Sequence, residues 1–279
     1  MSFIRLFIDS TKPKVMVQKN AFYFLLGYFI SVFYYQQFTW LKALLALTVF
    51  ISVYSCVYVI NDIFDYKRDR AHPIKCHRPI PSNQLKPSMA LLFCGIVYIA
   101  GFLASILFIN PLFATCIFLL IVGNIVYSHP YFKTKKSIVN SAIILGLLQY
   151  LKLLAGWSIT AGQFAHPFLL FLIPGCLYLY SMLQLAINSD HYKGRFKIAR
   201  RELLVGRTLM IAPAVLITIL LFTELTSYIM FIMVPVYLAF LFIVEKLKLS
   251  DAIKNVNKYM GLLNSLLISL NLLYFIPLL

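Results

Sequence analysis

Apolar residues in this chain come in runs that are long enough to cross a lipid bilayer. A transmembrane α-helix needs about 20 consecutive, mainly apolar residues. Nine runs approach that length: residues 20–37, 40–60, 88–109, 111–128, 137–158, 166–188, 207–225, 226–245 and 256–277. With 61% hydrophobic and 12% charged residues, the 279-residue chain has too little polar surface to cover a water-soluble globule. We therefore expect an all-α integral membrane protein, a bundle of about nine transmembrane helices.

Basic residues alternate along the chain with these runs. Of the 25 lysines and arginines, 23 lie before the first run, in every second connection or at the adjoining run ends, and near the opposite connections only Lys42 is basic. By the positive-inside rule, the N-terminus and the loop after the second run face the cytoplasm. This distribution also accounts for the net charge of +16, and no nucleic-acid-binding motif accompanies it. No Gly/Ser linker divides the sequence, so residues 1–279 are predicted to form one domain with a cytoplasm-facing cavity.

Three of the nine acidic residues lie close together directly after the second apolar run. On a helix, Asp62, Asp65 and Asp69 stand at i, i+3 and i+7, so their carboxylates share one face, with Asn61 beside them. Carboxylates crowded in this way need a cation among them, and hard oxygen ligands suit Mg²⁺ that is shared with phosphate and water oxygens. The motif predicts a Mg²⁺ site that binds a diphosphate. The alternative is a solvated, charged helix end.

Basic side chains follow the three aspartates at once, which favours a bound polyanion over a solvated helix end. They are Lys67, Arg68, Arg70, Lys75 and Arg78. Lys75, Arg78 and Arg70 are candidates for neutralising phosphate oxygens, and Asn61 is a candidate hydrogen-bonding group for the substrate. His72 is either an acid or a residue that shapes the turn before Pro73.

Further candidates lie near the ends or inside later apolar runs. Lys152 lies within the fifth run, and a cation inside a membrane usually faces a polar cavity. Tyr127 and Lys133, around the end of the fourth run, could lean toward the same cavity, although tyrosine is also common at membrane interfaces. Lys133, Lys152 and, in a later loop, Arg200 and Arg201 are candidates for positioning an anionic acceptor.

The loop 188–202 after the sixth run is the second long basic connection. It contains Asp190 and then five basic residues, including Arg200 and Arg201. Without paired acids, the loop suits direct binding of an anion better than a second metal site. A basic flank that only sets topology is an equal alternative.

The acidic motif resembles a known family. Asn61-Asp62-x-x-Asp65-x-x-x-Asp69, followed by Arg78-Pro79-Ile80, resembles the motif of the UbiA superfamily of intramembrane prenyltransferases. Residues 69–80, Asp-Arg-Ala-His-Pro-Ile-Lys-Cys-His-Arg-Pro-Ile, resemble more narrowly the decaprenyl-phosphate phosphoribosyltransferases. Weaker matches to that branch are Tyr127-Ser128 with Lys133, Lys152 to Gly156, Arg200 to Leu203, and Pro13 with Lys19-Asn20 at a different spacing.

The narrower resemblance implies an enzyme of cell-envelope biosynthesis in the bacterial inner membrane. It would transfer 5-phosphoribose from phosphoribosyl diphosphate to a polyprenyl phosphate, with Mg²⁺ held by Asp62, Asp65 and Asp69 and with Lys75 as a further catalytic residue. Two departures concern the acceptor: Asn140 replaces an expected acid, and residues 188–192 lack the branch's Lys-Arg-x-x-Glu stretch.

Two other functions are compatible with the residues. The first is a prenyltransferase that uses the same motif to bind a prenyl diphosphate and transfers the prenyl group to an aromatic or other acceptor. The second is a non-catalytic transporter or regulatory membrane protein. Three stacked carboxylates next to a set of bases argue against the second. A homo-oligomer is compatible with the sequence.

Overall fold

The structure is a computed structural model that describes residues 2–13, 16–73, 75–132, 134 and 138–161. The predicted apolar runs after residue 161 lie outside these residues, as do Lys133 and the loop 188–202. All regular secondary structure within the described ranges is helical. The predicted count of nine helices therefore stays a prediction.

Six α-helices occupy most of the described residues. They are α1 (Phe3–Ser10), α2 (Phe22–Tyr35), α3 (Trp40–Arg70), α4 (Pro87–Phe108), α5 (Pro111–Ser128) and α6 (Ile138–Ala161). A π-helical segment, Met16–Ala21, leads into α2, and short 3₁₀ turns lie at Lys75–His77 and Pro130–Phe132. By length and composition, four stretches can cross a membrane: Trp40–Arg70, Pro87–Phe108, Pro111–Ser128 and Ile143–Ala161.

Local sequence signals set the ends of these helices. Both α4 and α5 begin with a proline, whose fixed φ suits the first helical turn. The side chain of Asn110 accepts a hydrogen bond from the backbone N–H of Phe113 at 2.7 Å and so caps α5. The last turn of α3 is basic, which favours a helix C-terminus. The helix α3 ends only at this basic turn, so its 31 residues include the whole acidic motif.

The described residues belong to two compact units. Thr134 and residues 138–150 belong to one unit, and all statements on packing and on the site below concern the other. There, α3 packs against α4 and α5, which also pack against each other. The ring of Phe24 in α2 stacks on Phe50 of α3, with centroids 4.6 Å apart, and meets Phe113 of α5 edge-on at 6.3 Å. Aromatic contacts thus join three helices.

Two glycines allow α2 to approach the last part of α6 closely. A Cβ atom on Gly27 would overlap the carbonyl oxygen of Leu153, and one on Gly156 would overlap that of Phe24. Small residues permit such backbone approach between membrane helices. The N-terminus of α5 joins the same region, because Nδ2 of Asn110 donates to the carbonyl oxygen of Ser158 at 2.6 Å.

The short helix α1 packs onto α3 and α4. Leu6 and Phe7 are buried in an apolar cluster with Cys56 and Ile60 of α3, and the ring of Phe7 lies 4.5 Å from that of Phe93. The sequence predicted only that the segment before the first span faces the cytoplasm. The packing gives this segment a fixed place, and Lys12 lies two residues after the end of α1.

Candidate active site

The buried carboxylates of α3 form the centre of the candidate site. Asp62 and Asp69 are each 1% exposed, and Asp65 is partly buried. Nη1 of Arg78 lies 3.0 Å from Oδ1 of Asp62 and 3.4 Å from Oδ2 of Asp69. Two carboxylates removed from water repel each other unless a cation lies between them. The structure thus brings two of the predicted acids to one base.

Four basic side chains surround the three carboxylates. Besides the Arg78 contacts, the ion pairs are Lys12 Nζ to Asp62 Oδ1 at 3.2 Å, Lys75 Nζ to Asp69 Oδ1 at 3.6 Å, Arg68 Nη2 to Asp65 Oδ2 at 2.9 Å and Arg68 Nε to Asp69 Oδ1 at 3.8 Å. We call these seven residues the carboxylate cluster. Its formal charge is slightly positive, which favours an anionic ligand that arrives with its own metal ion.

The three acids do not converge on one point. Within the described residues, no group of three His, Cys, Asp or Glu side chains is close enough to hold a metal ion. Arg68 pairs with Asp65, whereas Asp62 and Asp69 face Arg78. Asp65 therefore stays a predicted metal ligand.

One carboxylate oxygen remains without a hydrogen bond. Oδ1 of Asp69 is buried and has no hydrogen-bond partner in the part of the chain described, with Nζ of Lys75 3.6 Å away. A buried acceptor of this kind calls for a further partner. Hard carboxylate oxygens are what Mg²⁺ prefers when it keeps phosphate and water ligands. Asp62 and Asp69 are thus the described residues whose chemistry fits a Mg²⁺ ion.

Two predicted residues hold the loop after α3 instead of facing the carboxylates. Nε of Arg70 donates to the carbonyl oxygen of Pro81 at 3.0 Å, and its Nη2 donates to Oδ1 of Asn83. Nδ1 of His72 accepts a hydrogen bond from the backbone N–H of Lys75 at 3.4 Å. His72 thus shapes the turn that presents Lys75, which was one of its two predicted roles.

The remaining predicted residues are placed only in part. Asn61 is half-buried directly before Asp62, and Tyr127 is half-buried one residue before the end of α5. The end of α5 lies beside α3, since the rings of His129 and Phe64 meet edge-on at 4.8 Å. The roles of Asn61 and Tyr127 stay predictions. The same holds for the residues outside the described ranges, which are Lys133, Asp190, Arg200 and Arg201.

Lys152 joins a polar network inside the helix bundle. It is 2% exposed, its Nζ donates to Oδ1 of Asn20 at 2.7 Å, and it lies 4.6 Å from the ring centroid of Tyr54. Nδ2 of Asn20 in turn donates to the hydroxyl of Tyr58 at 2.6 Å. The Tyr58 ring lies 5.3 Å from Nζ of Lys12, which belongs to the carboxylate cluster. We call Lys152, Asn20, Tyr58 and Lys12 the lysine network.

Three residues of this network carry little sequence signal. Tyr58 lies within an apolar run, and Asn20 was marked only by its place after Lys19. Lys12 has a φ of 53°, a left-handed conformation that costs an L-residue about 1–2 kcal/mol. Strained backbone of this kind concentrates at functional sites. A π-helical segment, which contains Asn20, also tends to occur there.

Long apolar helices, buried carboxylates and a surrounding set of bases indicate a membrane protein with a site for an anionic ligand. The particular family follows from sequence comparison. The chain belongs to the UbiA prenyltransferase family, whose model matches residues 21–266.

Its relatives include several farnesyltransferases. The protoheme IX farnesyltransferase of Vibrio vulnificus (strain YJ016) is 30% identical over 164 residues, 58% of this chain and 53% of the relative. Protoheme IX farnesyltransferase 2 of Pseudoalteromonas atlantica is 31% identical over 171 residues, 60% of this chain and 53% of the relative. The chain thus spans about half the length of the relatives it matches. They favour the prenyltransferase alternative over the narrower phosphoribosyltransferase resemblance and its cell-envelope role.

Solved structures share the fold along almost the whole chain. A structure of digeranylgeranylglyceryl phosphate synthase has a TM-score of 0.78 at 21% identity and covers 99% of this chain and 100% of its own. A UbiA homologue from Archaeoglobus fulgidus bound to GPP and Mg²⁺ has a TM-score of 0.71 at 18% identity, with 95% and 98% covered. At these identities the likeness shows the all-helical UbiA fold alone.

Proposed function

We propose that the protein transfers a prenyl group from a prenyl diphosphate to an acceptor, with the carboxylate cluster as the site of the diphosphate. The observation that carries this proposal is the buried pair Asp62 and Asp69, which faces Arg78 while one oxygen of Asp69 has no hydrogen-bond partner among the described residues. The family and the names of the relatives support the same reaction class.

The reaction separates charge at the diphosphate. The bond between the allylic carbon and its oxygen breaks, the diphosphate leaves with the electron pair, and the acceptor supplies a new pair to the carbon before it loses a proton. Groups placed where negative charge develops stabilise such a transition state most. Asp62 and Asp69 would hold the Mg²⁺ ion, which would supply positive charge to offset part of the charge on the leaving group.

The basic side chains divide between holding the carboxylates and holding the diphosphate. Lys12, Lys75 and Arg78 all contact Asp62 or Asp69, and their side chains are 25%, 33% and 31% exposed. This partial exposure leaves them able to turn toward a ligand. On diphosphate binding, their remaining N–H groups can donate to phosphate oxygens while the contacts to Asp62 and Asp69 are kept.

The relatives suggest the first substrates to test. They are named protoheme IX farnesyltransferases, so farnesyl diphosphate is the first donor and protoheme IX the first acceptor. Phosphoribosyl transfer to a polyprenyl phosphate is supported by the motif at residues 69–80 and by weaker sequence matches elsewhere, and it ranks second. A transporter or regulator ranks last, because it would not need carboxylates gathered with four bases.

The full architecture belongs to this proposal as well. One domain of about nine transmembrane helices, with the N-terminus and the carboxylate cluster facing the cytoplasm of a bacterium, would place the site where cytosolic Mg²⁺ reaches it. The alternation of basic connections supports this orientation.

The test supplies purified full-length protein with Mg²⁺ in three reactions. The first contains labelled farnesyl diphosphate and protoheme IX, the second labelled geranyl diphosphate with aromatic acceptors, and the third labelled phosphoribosyl diphosphate with a short polyprenyl phosphate. We expect label in the acceptor in the first or second reaction and none in the third, with transfer lost in excess EDTA. Transfer of phosphoribose alone would reverse the ranking, and transfer that persists in EDTA would remove the metal from the proposal.

A further inference from the structure

The buried lysine of α6 is connected to the carboxylate cluster through the lysine network. The contacts run from Lys152 to Asn20 at 2.7 Å, from Asn20 to the Tyr58 hydroxyl at 2.6 Å, and from the Tyr58 ring to Lys12 at 5.3 Å. Nζ of Lys12 then lies 3.2 Å from Oδ1 of Asp62. These contacts join α6, the π-helical segment, α3 and Lys12, which lies two residues after the end of α1. A charge inside the bundle is thereby linked to the site.

The geometry gives Lys152 a different role from the predicted one. As a group that binds an acceptor phosphate, its ammonium would have to face an open cavity, yet it is 2% exposed, bonded to Asn20 and packed over the ring of Tyr54. A buried ammonium is held by such hydrogen-bond and cation–π contacts. Its contact with Oδ1 of Asn20 also fixes which way the amide points, because the amide nitrogen must then face Tyr58.

We propose that Lys152 is a positioning residue for the diphosphate site, acting through Asn20 and Tyr58 to hold Lys12 beside Asp62. The proposal rests on the proposed function only in assigning the diphosphate to the carboxylate cluster. Lys152 orients the Asn20 amide, the amide fixes the Tyr58 hydroxyl, and the Tyr58 ring supports the ammonium of Lys12. Lys12 itself has a left-handed φ of 53°, so its place beside Asp62 depends on contacts of this kind.

A binding measurement tests this role without relying on turnover. The probe is inorganic diphosphate with Mg²⁺, and the readout is the half-saturating concentration, that is the dissociation constant, obtained by fitting the rise in melting temperature of the full-length protein against diphosphate concentration. Lys152→Met keeps the length of the side chain and removes its charge, and it should raise this concentration about tenfold, as expected for coupled groups. Lys152→Arg keeps the charge and should restore most of the affinity. Lys42→Met, the same change on α3 outside the network, should have no effect.

The deciding comparison is the double variant. Lys12→Met should also raise the half-saturating concentration about tenfold, and adding Lys152→Met should change it less than about twofold further, because both changes break one chain of contacts. If the two effects multiply, Lys152 does not act through Lys12. If Lys152→Met changes only the KM for the acceptor, the residue binds acceptor, and the proposal is overturned.

A second variant covers the case in which Lys152→Met does not fold. Tyr58→Phe removes the hydroxyl that accepts from Asn20 but keeps the ring beside Lys12, and it should weaken Mg²⁺-diphosphate binding about threefold in the natural chain and not in the Lys12→Met chain. Wild-type protein that binds Mg²⁺-diphosphate with this coupling but transfers no prenyl group would refute the proposed function alone. Prenyl transfer without the coupling would refute the positioning role alone, and the absence of any diphosphate-dependent stabilisation would refute both.

Discussion

Asp62 and Asp69 lie seven residues apart on α3, yet both carboxylates reach the same nitrogen of Arg78, at 3.0 and 3.4 Å. Two helical turns separate their Cα atoms, so the side chains must lean toward each other. The common base comes from the loop after α3, which Arg70 fastens through Pro81 and Asn83. The loop and the helix therefore form the site together.

The carboxylates should be required for turnover and much less for folding. Asp62→Asn and Asp69→Asn keep the size of the side chain but remove a metal-binding charge, and each should lower kcat/KM by about 100-fold or more. The loss of stability should stay near 1 kcal/mol, because the partnering bases are partly exposed and can turn to water. Steady-state kinetics and thermal unfolding measure the two effects. Asp9→Asn on the exposed side of α1 is the control, and equal activity of all three variants would exclude a role for the cluster.

Arg78 should not be replaceable by lysine. A guanidinium can contact two carboxylates at once, whereas an ammonium is a point charge that cannot bridge them in the same way. Arg78→Lys should therefore raise the KM for the diphosphate donor about tenfold or more, as expected for the loss of a charge-assisted contact. Arg5→Lys on exposed α1 provides the matched substitution. A donor KM that is unchanged by Arg78→Lys would contradict the bridging role.

The glycine contacts between α2 and α6 should tolerate no added methyl group. Gly156→Ala forces a Cβ atom onto the carbonyl oxygen of Phe24 and should destabilise the protein by about 2 kcal/mol. Gly95→Ala in α4 meets open space and should be neutral or stabilising by up to about 1 kcal/mol. Unfolding in bicelles compares the two. Equal stability would mean that α2 and α6 can move apart at no cost.

Asn110 should contribute to stability twice over. It caps α5 through Phe113 and donates to Ser158 of α6, so Asn110→Ala should cost about 2 kcal/mol, the sum expected for a cap and one hydrogen bond. Thr115→Val on the exposed face of the same helix is the control and should stay within about 0.5 kcal/mol. Melting temperatures that do not differ would mean that these two bonds add nothing.

The loop that carries Arg78 should be accessible from the cytoplasmic side. In a chain with Cys76 and Cys176 changed to serine, Gln84→Cys should react with an impermeant maleimide only in inverted vesicles, and Gln163→Cys only in intact cells, as the basic connections require. Labelling with the opposite sidedness would place the site away from cytosolic Mg²⁺.

The sequence was most informative where one physical rule acts alone. The length of the apolar run predicted both ends of α5 correctly, at Pro111–Ser128. A proline begins this helix, and the apolar run extends over its whole length. The same rule placed the end of the second run at residue 60, whereas α3 ends ten residues later, at Arg70. The helix continues because ion pairs such as Arg68 with Asp65 stabilise the charged motif as a helix. Periodicity placed the aspartates on one face.

Such rules could not predict contacts between residues that are far apart in the sequence. Lys12 reaches Asp62 across 50 residues and Lys152 reaches Asn20 across 132, so no local spacing joins either pair. Arg70 and Arg78 look alike in sequence, as two bases after three acids. Only the course of the loop after α3 turns Arg78 toward the carboxylates and Arg70 toward Asn83.

The length of α3 bears on the depth of the carboxylate cluster in a lipid bilayer. At a rise of 1.5 Å per residue, its 31 residues extend over about 46 Å, whereas the hydrocarbon core is about 30 Å thick. If the apolar residues 40–60 cross that core, the polar turns from Asp62 to Arg70 extend past the acyl chains, to the level of the lipid phosphates. An amphiphile dissolved in the leaflet already carries its charged end at that level. The supply of such a ligand to the carboxylate cluster would then depend on its partitioning into the bilayer more than on its concentration in water.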